Sequence, residues 1–460
     1  LIIFSFIFYY IAAKEWLPLI ICSLIFNSLI SFFVKQKKIL FFAIIINLLI
    51  IFVYKYNVIG LSISNYSFEN IIIPLGISFY TFNQIVFLLD IYNNKITKPK
   101  IRYFTFLIIF FPHLIAGPFL RYNNIIDQFK NKFKMPFSKE KIKFGLFIFI
   151  IGLGKKIIIA DSLGIYVDAL HYSLKLGHLP TFFQSWLGTV SFSLQLYFDF
   201  SGYSDMAIGL ALILGIVLPI NFNSPFKTTN IIEFWSRWHM TLTNLIREFI
   251  FFPLTVTLGR NLSLNDKLKS NFYLIIIPTL ITFAIIGMWH GGTINFLLFG
   301  IYNGILIVVY QIFLKKKNHS EVKNNSNFLM IMINFVFINF GFIFFRSENF
   351  SSSLNLIKGL FGFNGLGIPY TLAEKFTLLK IFKVDAIHLS YGLSSIYYLV
   401  FIFIGLMICF ATKNYNFSKF FLNDKYKFNF TNYDLIKIYF IFIFSILFLD
   451  RNVSFLYFNF

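Results

Sequence analysis

The sequence predicts an all-α, polytopic transmembrane helical bundle with about 11–13 membrane-embedded segments, some of them re-entrant. Three observations lead there. First, 58% of the 460 residues are hydrophobic and only 13% are charged, with a mean hydropathy of +0.74. A soluble domain carries about 25% charged and about 45–50% apolar residues, and no globular core can hide the excess. Second, the apolar residues form continuous runs of about 15–20, the length of a spanning helix, without the period-two alternation of barrel strands. Third, the basic residues sit in short clusters between these runs, so the net charge of +21 reads as the positive-inside pattern and not as a nucleic-acid footprint. A soluble enzyme, a nucleic-acid-binding domain and a disordered chain are thereby excluded. Cys22 and Cys409 lie far apart in apolar stretches and predict neither a disulfide framework nor a metal site.

The convincing runs are Leu17–Val34, Ile39–Tyr54, Ile71–Ile91, Phe144–Ala160, Phe182–Phe198, Phe272–Met288, Ile294–Leu314, Phe328–Phe345, Ile396–Phe410 and Ile436–Leu449. Leu1–Ala13 reads as the end of another. Since the sequence starts without Met, a short preceding piece is expected, and this first segment is expected to serve as the insertion signal. Phe104–Leu120 and Met206–Ile220 are apolar but interrupted by Pro, His or Gly. Residues 1–460 are read as one integral-membrane domain.

Loop charges orient the bundle. Lys35, Lys37 and Lys38, then Lys95, Lys98, Lys100 and Arg102, then the basic stretch from Arg121 to Lys143, then Lys315, Lys316, Lys317 and Lys323, and last Lys413, Lys419, Lys425 and Lys427 are expected on the cytoplasmic side. The nearly neutral loops Asn57–Asn70, Asp161–Pro180 and Ser347–Ser395 are expected to face outward, as is the chain after Leu449. Phe104–Leu120 is flanked by basic clusters on both sides and holds Pro112, His113, Gly117 and Pro118. It is expected to be a re-entrant loop lining a cytoplasm-facing cavity, because non-helical backbone at membrane depth survives only where protein or water satisfies it. No inverted repeat is visible, which counts against a secondary transporter.

An ionisable group in a bilayer costs about 2.5–3.5 kcal/mol on insertion scales and is a functional candidate by default. The first cluster is the run from Tyr197 to Met206, with Asp199, Ser201, Tyr203 and Asp205. Two readings stand: a polar wall or cation site, or a partly unwound helix end whose side chains satisfy freed backbone groups. The second, Trp235-Ser236-Arg237-Trp238-His239-Met240, reads as an interfacial Trp and Arg anchor, which accounts for the adjacent histidine only by chance. On a helix His239 would share a face with Leu242, Thr243 and Ile246. The third is Met288-Trp289-His290-Gly291-Gly292, where two glycines let a backbone or ligand come close. Apolar surroundings favour the uncharged imidazole, the form a general base requires, so His290 is the first catalytic candidate. Gly300 and Gly304 read as helix packing, with Asn303 beside them as a candidate lining residue. His113 is expected to line the cavity, whereas His171, His178, His319 and His388 are expected to be solvated. There is no zinc spacing, P-loop or nucleophile elbow.

With these residues in hand, the sequence resembles the membrane-bound O-acyltransferase superfamily, in the bacterial branch of alginate and peptidoglycan O-acetyltransferases and teichoic-acid D-alanyl transferases. The resemblance lies in Gly76–Tyr92, Phe110–Tyr122, Tyr197–Leu210, Asn221–Pro253, Gly287–Gly292 and the aromatic Ser454–Phe460. It implies a helical bundle around a central funnel and tunnel, through which an acyl group passes from a cytoplasmic thioester donor, expected to be acetyl-CoA, to the outer face. It implies catalysis by His290, with His239 in the same site. The tunnel or donor-site lining expected on this basis is His113, Asp199, Ser201, Tyr203, Asp205, Trp235, Arg237, Trp238, Trp289 and Asn303. By analogy Tyr457 is a transient acyl carrier, its alternative being an interfacial anchor. A periplasmic esterase-fold acetyltransferase is the expected partner; D-alanyl transfer from a small acidic carrier protein is the rival within the class, and a proton- or ion-coupled transporter the rival outside it. No metal and no tightly bound cofactor are expected. The family's usual tryptophan a few residues past Trp-His-Gly is missing, and Asn83-Gln84 replaces a commoner Phe-Gln pairing.

Overall fold

A computed structural model describes residues 1–56, 73–132, 139–260, 267–316, 327–367, 395–411, 431–449 and 455–456. Among these no strand occurs. The helices are α1 (Ile2–Ala13), α2 (Leu17–Ile30), α3 (Lys37–Ile51, running on as a π-turn through Phe52–Tyr56), α4 (Ile77–Tyr92), α5 (Ile101–Ile109), α6 (Phe111–Leu114), α7 (Tyr122–Lys132), α8 (Lys139–Gly154), α9 (Asp161–Lys175), α10 (Phe182–Ile213), α11 (Ile231–Arg237), α12 (Met240–Ile246), α13 (Phe252–Gly259), α14 (Lys267–Asn271), α15 (Ile277–His290), α16 (Ile294–Lys316), α17 (Phe328–Arg346), α18 (Phe350–Leu360), α19 (Ser395–Ala411) and α20 (Asn432–Leu447).

Among the described residues, five helical stretches are long and apolar enough to cross a membrane: Ile2–Ile30, Lys37–Lys55, Lys269–His290, Ile294–Lys315 and Phe328–Arg346. Large apolar side chains such as Ile3, Ile11, Phe41 and Phe328 are exposed on their outer faces. A belt of this kind is stable only against lipid, and the chain is a multi-pass membrane protein. Other expected segments, such as α4 and α19, are shorter.

The centre of the bundle is α10. Its 32 residues are buried along almost the whole length from Ser185 to Leu212, and it packs on α8, α9, α17 and α18. Close approach to α8 is set by facing glycines. A Cβ on Gly152 would stand 2.5 Å from the Gly202 carbonyl, and one on Gly209 would stand 2.5 Å from that of Gly145. The two helices therefore touch backbone to backbone at two levels, as small residues permit. Gly300 does the same between α16 and α15, where a Cβ would lie 2.1 Å from the Phe283 carbonyl, as expected for this stretch.

One of two open readings falls, and two expectations are corrected. The stretch Tyr197–Met206 is not an unwound helix end: α10 runs unbroken through it to Ile213, absorbing part of Met206–Ile220. Unwinding is unnecessary because Lys155 and Lys156, in the π-turn that follows α8, supply counter-charges to Asp205 and Asp199. Asp161–Pro180, read as an outward loop, is largely α9, with Leu163, Val167, Leu170 and Leu174 buried on one face. With it, His171 is half-buried beside Ile343 and Leu356 and not solvated. Within Ser347–Ser395, α18 packs on α10; residues 368–394 lie outside the described residues, as do His319, His388 and the loop 57–70.

Phe104–Leu120 is broken where its sequence says. α5 ends at Phe110 (ψ 105°), Pro112 opens the single turn α6, and the chain then runs non-helically to Arg121 with Phe119 and Leu120 buried. Protein groups satisfy its backbone: the Phe111 N–H donates to Ser5 Oγ (3.3 Å) and the Phe119 N–H to Thr241 Oγ1 (3.1 Å).

Candidate functional site

His290 is the last residue of α15, at the head of the antiparallel hairpin that α15 makes with α16. The turn is closed by Gly291, where a Cβ would collide with the Phe296 ring at 2.2 Å. His290 is 6% exposed and meets the rings of Phe345 (5.0 Å) and Phe299 (6.1 Å) edge-on. The neighbouring Trp289 ring lies 4.9 Å from that of His290 and 6.4 Å from that of His239. One indole thus stands between the two histidines, and it is wedged in place by Phe79, Phe82 and Phe119.

His239 reaches this place by a route that helical spacing does not give. α11 stops at Arg237, and His239 itself takes the left-handed conformation (φ 43°, ψ 50°) as N-cap of α12. The cause is the crossing segment 221–223: the Met240 N–H donates to the Asn221 carbonyl (2.9 Å) and the Asn223 N–H to that of Arg237 (3.0 Å). His239 therefore does not share a helical face with Leu242 and Thr243. Its Nδ1 lies 3.0 Å from Asn221 Oδ1, which also accepts from the Thr241 hydroxyl at 2.8 Å. An amide oxygen only accepts, so Nδ1 carries the proton and Nε2 the free lone pair. Nε2 is buried and has no hydrogen-bond partner among the described residues. The ring is held between Phe119 and Phe222, with Phe200 edge-on at 4.7 Å.

The other predicted residues divide. Trp235 Nε1 donates to Asn303 Oδ1 (3.3 Å), and the Asn303 amide donates to the Phe299 carbonyl (2.8 Å), so this pair braces α11 against α16. Trp238 packs on Phe234 and Phe342. Arg237 is half-exposed and paired with Glu233 at 2.6 Å. His113 is buried with Phe110 as its ring neighbour; its loop delivers Phe119, not His113, to His239. Asp199 and Asp205 face α8. Asp199 pairs with Lys156 (2.8 Å), which also holds Asp161 (2.6 Å), and Asp205 pairs with Lys155 (2.6 Å). The Leu456 N–H donates to Asp199 Oδ2 at 3.1 Å, and Phe455 packs on Tyr203 (4.9 Å), whose hydroxyl donates to the Pro112 carbonyl (3.4 Å). Ser201 is buried, its hydroxyl without a partner among the described residues. Tyr457 and the rest of Ser454–Phe460 apart from Phe455 and Leu456 lie outside the described residues.

Sequence reasoning missed Lys55 and Ser78. Lys55 is 3% exposed. Its Nζ donates to the Trp289 carbonyl and to Ser78 Oγ (3.3 Å), and lies 5.6 Å from the centre of the Trp289 ring. Lys55, Ser78, Phe79, Ile115, Trp289 and His290 line a cavity of about 750 Å³ that reaches the turn Lys14–Trp16. A lysine closing an apolar run reads as a snorkelling anchor, which is why the run ending at Tyr54 gave no signal. Asn221 carried none either, since an asparagine in a loop has no period. Among the described residues no three His, Cys, Asp or Glu side chains come together to hold a metal ion. The arrangement offers two buried imidazoles, one oriented by an amide, an unused indole N–H on Trp289 and a buried ammonium.

The model of the family described as MBOAT, membrane-bound O-acyltransferase, matches residues 45–354, a stretch that holds both histidines, Asn221 and Lys55. The chain is 33% identical over 415 residues to a peptidoglycan O-acetyltransferase of Helicobacter pylori, covering 81% of this chain and 75% of that protein. It is 32% identical over 386 residues to a probable alginate O-acetylase of Pseudomonas syringae, covering 79% and 70%. A teichoic acid D-alanyltransferase of Bacillus subtilis is 30% identical over 253 residues, 53% of this chain and 61% of that protein.

Proposed function

This chain belongs to the membrane-bound O-acyltransferase family and is an O-acyltransferase, and from that premise we propose that it moves acetyl groups across the membrane for O-acetylation of an extracytoplasmic polysaccharide, either peptidoglycan or an alginate-like polymer. His290 is the general base. The observation that carries this reading is the pair of buried histidines on either side of the Trp289 ring, one of them in the wall of a cavity.

An acceptor hydroxyl in the cavity gives its proton to the basic nitrogen of His290 as its oxygen attacks the acyl carbonyl. The ester C–O bond forms, the thioester C–S bond breaks, and the thiolate leaves with the proton that His290 held. His239, its Nδ1–H committed to Asn221, presents Nε2 as a second fixed acceptor for a hydroxyl or thiol proton. General-base help of this kind is worth about 10²–10⁴-fold.

Acetyl-CoA is the proposed donor. It is too highly charged to cross a hydrocarbon core about 30 Å thick, so the acetyl group must pass alone through the bundle. The enzyme lies in the bacterial cytoplasmic membrane with Lys35, Lys37, Lys38, Lys95 and Arg121 on the cytoplasmic side. Basic residues there favour an anionic donor. Tyr457 takes the acyl group transiently and hands it to a periplasmic esterase-fold partner; burial of Phe455 and Leu456 against Tyr203 and Asp199 supports a working position inside the bundle. D-alanyl transfer is less favoured because the D-alanyltransferase likeness covers only 53% of the chain.

The test is His290→Gln in membranes supplied with acetyl-CoA, reading ester-linked acetate on the polysaccharide. Transfer is expected to fall at least 10²-fold in a protein that still purifies as a single species. Transfer at the wild-type rate refutes the assignment.

A further inference from the structure

We propose that Lys55 is the oxyanion-binding cation of this site: its ammonium takes up the negative charge that forms on the acyl carbonyl oxygen during transfer. The inference rests on the acyl-transfer reading above and adds the group that stabilises the intermediate.

A buried charge is normally paired with an opposite one. Lys55 is 3% exposed, yet no carboxylate among the described residues pairs with it. The three acids beside Lys155 and Lys156 show the contrast, since those lysines are matched at 2.6–2.8 Å. An ammonium has three N–H donors. Two go to neutral acceptors, the Trp289 carbonyl and Ser78 Oγ, and the third has no partner among the described residues. Glu15, in the wall of the same cavity, is exposed and leaves the ammonium unmatched.

A second unused donor sits beside it. The Trp289 Nε1–H is buried and without a partner among the described residues. Nζ of Lys55 is 5.6 Å from the centre of that indole, so the ammonium and the indole are near neighbours. Both residues share the cavity wall with His290. Base and ammonium therefore border one space, as addition to a carbonyl requires.

The step balances. The acceptor oxygen bonds to the acyl carbon, its proton goes to His290, and the carbonyl π pair moves onto the carbonyl oxygen, facing Lys55. Collapse returns that pair to the C=O bond and expels the thiolate of the thioester, which takes the proton from His290. Ester and thiol result.

The competing explanation is a helix cap. The Trp289 carbonyl is one of the last in α15 and lacks an intrahelical partner, and a lysine there is favourable whatever the chemistry. A cap needs a donor; an oxyanion site needs the charge. Lys55→Gln keeps the first and removes the second.

Full-length protein in nanodiscs is assayed with acetyl-CoA and a chitopentaose acceptor, reading kcat and KM separately. Lys55→Gln is expected to lose about 10²–10³-fold in kcat with both KM values within threefold of wild type, while Lys55→Arg stays within about tenfold. In Lys55→Ala, ethylammonium added to the assay is expected to restore at least tenfold of the lost rate. Wild-type kcat in Lys55→Gln overturns the proposal, as does loss in Lys55→Ala that ethylammonium does not relieve. His290→Gln runs in parallel: if it too is fully active, the acyl-transfer reading has failed, whereas an inactive His290→Gln beside an active Lys55→Gln sinks the Lys55 assignment alone.

Discussion

His239 Nδ1 and Asn221 Oδ1 are 3.0 Å apart, and this one contact decides which imidazole nitrogen is basic. Asn221 is itself held by its amide to Ser204 Oγ (3.4 Å) and by the Thr241 hydroxyl (2.8 Å). The ring, pinned in a left-handed turn between Phe119 and Phe222, can neither rotate nor change tautomer without breaking that set.

The first prediction follows. Asn221→Leu removes the acceptor while roughly keeping volume, so Nδ1 is left buried without a partner, at a cost of about 1–3 kcal/mol. Transfer is expected to fall about tenfold or more, with Asn221→Asp retaining more of it than Asn221→Leu. Equal rates in all three proteins would show that the tautomer of His239 does not matter.

A second prediction concerns the charges on the other face of α10. Lys156 serves both Asp161 and Asp199, so Lys156→Met takes the counter-charge from two buried carboxylates, whereas Asp199→Asn leaves Lys156 with Asp161. Breaking a buried pair costs about 3–5 kcal/mol. Lys156→Met is expected to lower the melting temperature well beyond Asp199→Asn, and Asp161→Asn with Asp199→Asn in the Lys156→Met background to recover part of the loss. Thermal unfolding in detergent checks the order.

Gly152→Leu supplies a third. Its side chain would enter the space of the Gly202 carbonyl, 2.5 Å from the Cβ position, and force α8 away from α10. Overpacking costs about 1–3 kcal/mol or more, and here the clash is with backbone that cannot swing aside. Size-exclusion profiles of the tagged protein are expected to show little monodisperse material.

Arg237 is the contrasting case. Its ion pair with Glu233 is half-exposed, at i, i+4 spacing, and such pairs are worth about 0.3–0.5 kcal/mol. Arg237→Gln is expected to keep transfer within twofold of wild type. A tenfold loss would place the guanidinium in the donor path after all.

The fold class and His290 were legible because hydropathy is additive along the chain and because a histidine followed by two glycines, between long apolar runs, has few other uses. Lys55 was hidden by its position at the end of an apolar run, where lysines ordinarily reach for water. His239 was found, but its geometry was not, since the crossing segment at 221–223 that breaks the helix is a tertiary event. The acids at 199 and 205 were visible as charges, whereas their partners at 155 and 156 follow α8, a helix whose approach to α10 depends on facing glycines far apart in sequence. α9 was readable: Leu163, Val167, Leu170 and Leu174 carry helical spacing, and the loop reading gave too much weight to the polar residues among them.

The hydrogen bond from Leu456 to Asp199 joins residues 257 positions apart. During synthesis α10 enters the bilayer long before residue 456 leaves the ribosome, so Asp199 and Lys156 must find one another while the slot beside them is vacant. Seating of the 455–456 segment is then a late event in biogenesis, and a chain interrupted after α20 would reach the membrane with its helices inserted but this last stitch undone.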